Sequence, residues 1–134
     1  MSTHELLIAT GDPATRKQMA ELFAEAGYQV TSPASIAGAV QGILKKTVKV
    51  VLLGTRFDEL LVTEVIPLFK QCQRDLTIIL VASELPLAVL RKARHEGIFY
   101  HALKPVQPGD EEELKQAVKC AFAKANQHHH DGEP

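Results

Sequence analysis

Apolar residues in this chain gather in three short unbroken runs, Leu6 to Ala9, Val48 to Leu53 and Leu76 to Ala82. None alternates with polar residues, as a strand with one wet face would. Short runs that are apolar throughout suit strands buried on both faces, the habit of parallel sheets. Tyr28 to Thr31 and Phe99 to Leu103 are two weaker strand segments. Between the strands the pattern takes the period of a helix. Met19, Leu22, Phe23 and Ala26 recur at i, i+3, i+4 and i+7. Asp12 is placed to cap this first helix, Pro13 to open it and Gly27 to end it. A second helix starts near Ser35 and carries Ile36, Val40, Ile43 and Leu44. A third carries Val62, Val65, Ile66 and Phe69, with Pro67 inside the pattern, where the missing N–H should kink or shorten it. A fourth runs from Pro86 through Leu87, Leu90 and Ala93 to Gly97. The fifth opens at Pro108, and its acidic first turn, Glu111 to Glu113, suits the positive end of a helix.

Five repeats of strand then helix predict an α/β fold, a five-stranded parallel sheet doubly wound with helices on both faces. A length of 134 residues is one domain's worth, and 46% hydrophobic with 23% charged is an ordinary globular balance. The domain is expected over 4–125, followed by a polar, disordered tail, 126–134. Fifteen basic against 16 acidic residues leave a net charge of -1, so no basic surplus points directly to nucleic acid. No apolar run approaches the roughly 18 residues of a membrane span, and no signal pattern opens the chain. Cys72 and Cys120 are far apart and in no metal-ligand spacing. These features predict a soluble cytoplasmic protein with no metal and no cofactor.

Three stretches carry a family resemblance. They are "LLIATGDPATRKQMAELFAEAGYQV", "VKVVLLGTRFDE" and "EGIFYHALKPV", the last being the most specific because its Lys-Pro directly follows a strand. Together they resemble the receiver domain of two-component response regulators, over roughly residues 4 to 125. The resemblance implies a flavodoxin-like (βα)5 sheet of strand order 2-1-3-4-5, with a site at the carboxyl ends of the strands.

In that family an aspartate after the third strand takes a phosphoryl group, and an acidic pair after the first strand holds magnesium. A hydroxyl after the fourth strand and a lysine after the fifth bind the phosphoryl oxygens. Here Gly54 stands at the phospho-acceptor position, Thr10 and Gly11 at the acidic pair and Val81 at the hydroxyl position. Lys104 and Pro105 are retained, His101 holds the switch position, and Asp58 replaces a proline usual after the phosphorylated aspartate. Glycine cannot be phosphorylated, and the metal loses its anionic ligands. Asp12 lies one place past the acidic pair and is read as a helix cap, with Lys104 free to meet it, a backbone carbonyl or an anion. The Lys104-Pro105 turn is compatible with a cis peptide. His101 is read as a half-buried strand histidine with a satisfied hydrogen bond, against a pH switch.

The reading that follows is a non-enzymatic pseudo-receiver, a phosphorylation-independent signalling module acting through protein contacts. The resemblance puts those contacts on the fourth helix, fifth strand and fifth helix, here Arg91, Lys92, Arg94, His95, Phe99, Tyr100 and His101. The partner is a kinase, an output domain, another regulator or a second copy. Two other readings stand beside it. One is a flavodoxin-like binder of a small molecule or nucleotide, with "ATGDPATRK" opening a helix whose amides suit phosphate. The other is a receiver domain cut from a larger regulator.

Overall fold

The computed structural model describes residues 4–131. β1 (Glu5–Ala9), β2 (Gln29–Thr31), β3 (Val48–Leu53), β6 (Thr77–Val81) and β7 (Tyr100–Ala102) form one parallel sheet of order β2-β1-β3-β6-β7. This is the expected order 2-1-3-4-5, since the two strands β4 (Arg56–Phe57) and β5 (Leu60–Leu61) make a separate antiparallel hairpin. The helices are α1 (Pro13–Glu25), α2 (Ile36–Leu44), α3 (Val62–Cys72), α4 (Leu87–Glu96) and α5 (Pro108–Asp131).

Alternate strand residues feed two cores, which is why the strand runs are apolar without a gap. Leu6, Ile8, Val50, Leu52, Ile79 and Val81 pack with Met19 and Phe23 of α1 and Leu114 and Val118 of α5. Leu7, Ala9, Val51, Leu53, Ile78 and Leu80 pack on the other face with Ala39 and Ile43 of α2, Ile66 and Phe69 of α3, and Ala93 of α4.

The helix boundaries follow local chemistry. Asp12 caps α1, accepting the Ala14 N–H, and Gly27 follows its end at φ 96°. Ser35 caps α2, and Gly97 ends α4 in the left-handed region that glycine enters at low cost. α3 is not shortened at Pro67: it continues past it, for 11 residues in all. A proline inside a helix costs about 3 kcal/mol. Val62, Val65, Ile66 and Phe69 are fully buried, and each such burial contributes about 1.5–3 kcal/mol, so packing outweighs the lost bond. α5 also takes in 126–131, which composition assigned to the tail, while 132–134 lie outside the described residues.

The hairpin is the element the sequence pattern does not announce. Asp58 and Glu59 turn it with φ of 51° and 64°, positive at both central positions as in a type I′ turn. Phe57 anchors it in the core beneath, and the Asp58 carboxylate accepts the Ile36 N–H at 2.9 Å, clipping the hairpin to the start of α2.

Candidate functional site

The carboxyl ends of the strands bring Thr10, after β1, against Gly54, after β3, and Asp12 against Lys104, after β7. At their centre Thr10 fills the room that a side chain on residue 54 would need. A Cβ atom at Gly54 would stand 2.9 Å from Thr10 Cβ and closer still to its hydroxyl. Gly54 φ lies outside the positive region, so crowding by Thr10 makes glycine the residue that fits. Thr10 itself is 4% exposed. Its hydroxyl accepts the Asp12 N–H at 3.3 Å.

The hairpin closes over this arrangement. Gly11 donates its N–H to Arg56 O at 2.8 Å, and a Cβ at Gly11 would meet the same oxygen at 3.2 Å. Gly54 N donates to Ala9 O and Val62 N to Thr55 O, so the loops after β1 and β3 are bonded to one another or to the sheet.

Lys104 meets Asp12, with Nζ 3.6 Å from Oδ2 and both side chains about two-fifths exposed. Asp12 is further engaged by the Thr15 hydroxyl at 2.5 Å and the Ala14 N–H at 3.3 Å. The Thr15 bond, then the Lys104 charge and the Ala14 amide, outweigh partial burial and hold the Asp12 carboxyl below the usual aspartate range. We expect Asp12→Ala to cost about 1 kcal/mol at neutral pH, as loss of such caps does. A carboxyl depressed in the folded state stabilises above its unfolded pKa and loses that contribution as pH falls through the folded value. The gap between variant and parent should therefore narrow below pH 3.8, the ordinary aspartate value. Urea denaturation across the acid range measures it, and a gap that stays constant into strong acid would remove Asp12 from this role.

The remaining positions fall as follows. Val81 is buried, 1% exposed, in the core under α1 and α5. His101 is half-buried and shares a hydrogen bond of 2.9 Å through Nε2 with Ala82 O. The Lys104-Pro105 peptide is trans, and Pro105 O accepts a bond from the Gln18 side chain. Asp58 is exposed and occupied by α2. Ser83, which nothing in the apolar run marks, accepts the Lys104 N–H at 3.1 Å and supplies a hydroxyl on this rim.

A magnesium ion of the phosphoryl-transfer kind needs several anionic oxygens. Positions 10, 11 and 54 supply one already bonded hydroxyl and two glycines, and Asp12 is committed to Thr15, Ala14 and Lys104. The residues present do not fit such an ion. Among the described residues, no three His, Cys, Asp or Glu side chains group to hold a metal.

On the second surface, Arg91, Lys92, Arg94 and His95 are exposed along α4, Phe99 is partly buried in the core, and Lys124 stands 5.5 Å over its ring. Tyr100 donates to Glu113 of α5 at 2.6 Å, and this bond pushes the phenol pKa up. Large apolar side chains that the sequence pattern did not assign to this surface also stand exposed nearby, Leu87 among them although it belongs to the apolar pattern of the fourth helix. They are Leu87 at the start of α4, and Leu103 and Val106 just after β7.

No family model and no curated protein matches the chain. Solved structures do. A response regulator receiver domain protein from Methanospirillum hungatei superposes with a TM-score of 0.83 at 17% identity, over 95% of this chain and 99% of that one. The signal receiver domain of an HD domain-containing protein from Pseudomonas fluorescens gives 0.86 at 18%, over 97% and 94%. The fold is that of a receiver domain. A third such structure, the signal receiver domain of a modulated diguanylate cyclase from Desulfovibrio desulfuricans, gives 0.78 at 17% identity, over 94% and 98%. The receiver fold thus extends over nearly all of this chain. Among the described residues, no helix is long and apolar enough to cross a membrane.

Proposed function

We propose that this chain is a signalling module of the two-component kind that works without being phosphorylated, a pseudo-receiver in the cytoplasm. One observation carries the reading: Thr10 occupies the space of the side chain that Gly54 lacks. Position 54 then has neither a carboxylate to take a phosphoryl group nor room for one. The structures it resembles are described as receiver domains, one a response regulator receiver domain protein, one from an HD domain-containing protein and one from a modulated diguanylate cyclase, and a module without chemistry of its own acts by binding.

The contact surface in this reading is α4, β7 and the start of α5, and the occupant is a protein or a second copy. Leu87, Tyr100, Leu103 and Val106 offer apolar area there, and exposed apolar groups rimmed by charge are the usual make-up of docking sites. Arg91 and Arg94 on one copy complement an acidic turn such as Glu111 to Glu113 on another. The alternative of a phosphate held at the start of α1 is less well supported, because the chain's own Asp12 already takes the Ala14 N–H.

Reversing both charges, Arg91→Glu with Arg94→Glu, should weaken the contact about tenfold or more. It should leave stability within about 0.5 kcal/mol, as exposed substitutions do. Sedimentation of the protein alone tests self-association, and titration with a partner recovered from source cells tests the other case. A folded double variant with unchanged affinity in both would place the interface elsewhere.

A further inference from the structure

A concentration of positive charge lies at the opposite end of the sheet from Lys104. A cleft of about 470 Å³ opens where β3 and β6 begin and α3 ends, beside Lys124 and Ala125 of α5. Lys46, Lys49, Lys70, Arg74 and Lys124 line it, a third of the 15 basic residues, with Asp75 the one acidic residue of the lining among the described residues. In a chain of net charge -1, such convergence sets up a local positive field.

Two further observations separate this cleft from an ordinary solvated face. Thr77, the first residue of β6, is 2% exposed and lines the cleft, and its buried hydroxyl has no hydrogen-bond partner. A buried hydroxyl left unpaired is costly and marks a place where a ligand oxygen would be stabilising. Lys70 is half-buried, with Nζ donating to Leu76 O at 2.9 Å. Burial first, then repulsion from Lys124, lowers its pKa, with Asp75 opposing. An anion in the cleft relieves that crowding of like charge.

The walls are held rigidly. The buried Gln73 amide donates to Val48 O at 2.9 Å and Ile43 O at 3.3 Å, tying the ends of α2 and α3 to the start of β3. Lys46 follows α2 in the left-handed region, φ 63°, where a lysine is uncommon.

We propose that this cleft binds a small, multiply charged phosphate-bearing anion. Its size falls within the range of small-molecule sites, about 300–1,000 Å³. Among the described residues no aromatic side chain lines it to stack on a base, so the charge and oxygens of linked phosphates are what its donors recognise. A recessed cleft on an otherwise balanced protein suits a compact anion better than an extended nucleic-acid backbone. The proposal does not depend on Arg91 and Arg94 or on the state of the Gly54 rim, though Lys124, which stands over Phe99, adjoins both surfaces.

Titration calorimetry of the full chain with tripolyphosphate, at ionic strength held constant, tests it. Tripolyphosphate should bind at least about tenfold more tightly than sulfate, because it engages several charged donors at once. Lys46→Gly removes one charge while suiting the left-handed backbone, so the variant should fold and lose about tenfold in affinity. Thr77→Val removes the unpaired hydroxyl, so it should melt no lower than the parent yet bind severalfold more weakly. Arg91→Glu with Arg94→Glu should bind as the parent does. Sulfate and tripolyphosphate binding equally, or Lys46→Gly and Thr77→Val both binding unchanged, would overturn the site. Tighter binding of a single-stranded oligonucleotide, with steep salt dependence, would overturn its assignment to a small anion.

Discussion

Gly54→Asp should destabilise the chain by about 3 kcal/mol and fail to make it accept a phosphoryl group. The new Cβ would stand 2.9 Å from Thr10 Cβ, and overpacking of this kind costs about 1–3 kcal/mol. A carboxylate buried there without a cation adds about 1–3 kcal/mol more. Thr10→Gly removes the crowding atoms, so the double variant should recover part of the loss. A double-mutant cycle by urea denaturation should show a coupling of about 1–3 kcal/mol between the two positions. Restoring an acidic pair meets further obstacles, because an aspartate at position 10 crowds residue 54 again. A side chain at Gly11 presses on Arg56 O, 3.2 Å from its Cβ. Mass spectrometry after incubation with acetyl phosphate and magnesium reads the chemistry. A phosphoryl adduct on the parent or on Gly54→Asp would sink the reading of this rim as unable to transfer phosphate.

Phe57→Ala should be comparably damaging, costing about 3–5 kcal/mol, the usual range for truncating a buried phenylalanine. Phe57 is 1% exposed and packs in the core shared by Leu53, Val62 and Val65. It is also what holds the hairpin down over the Thr10–Gly54 contact. Truncation leaves a cavity under two strands of two residues each, too short to stay paired by their own hydrogen bonds. Denaturant unfolding gives the number. A loss below about 1 kcal/mol would mean that the Asp58–Ile36 and Gly11–Arg56 bonds hold the hairpin without the phenylalanine.

What could be read from the sequence was whatever is written in contiguous residues. The runs around Leu7, Val51 and Ile79 each bury both faces of one strand, so their pattern alone identified the sheet. Asp12, Pro13 and Gly27 bounded α1 because caps act within a few residues. The hairpin was hidden because its turn, Asp58-Glu59, lacks the Asn or Gly that usually marks positive φ, and its strands are too short to show a period. Pro67 misled because burial, a tertiary effect, outweighs the local penalty. The Thr10–Gly54 fit joins residues 44 positions apart, and only the sheet makes them neighbours. The basic cleft draws on five separated residues, Lys46, Lys49, Lys70, Arg74 and Lys124. No charge run in the sequence announces it.

The outer strands of the main sheet, β2 and β7, are only three residues long. An edge so short exposes few free backbone donors and acceptors, and the β7 edge carries Tyr100 bonded to Glu113. Sheet extension by an incoming strand therefore has little backbone to build on, and edge-to-edge aggregation has as little. Whatever docks beside β7 must be recognised by side chains, so specificity at that surface is open to change one residue at a time without disturbing the backbone that supports it.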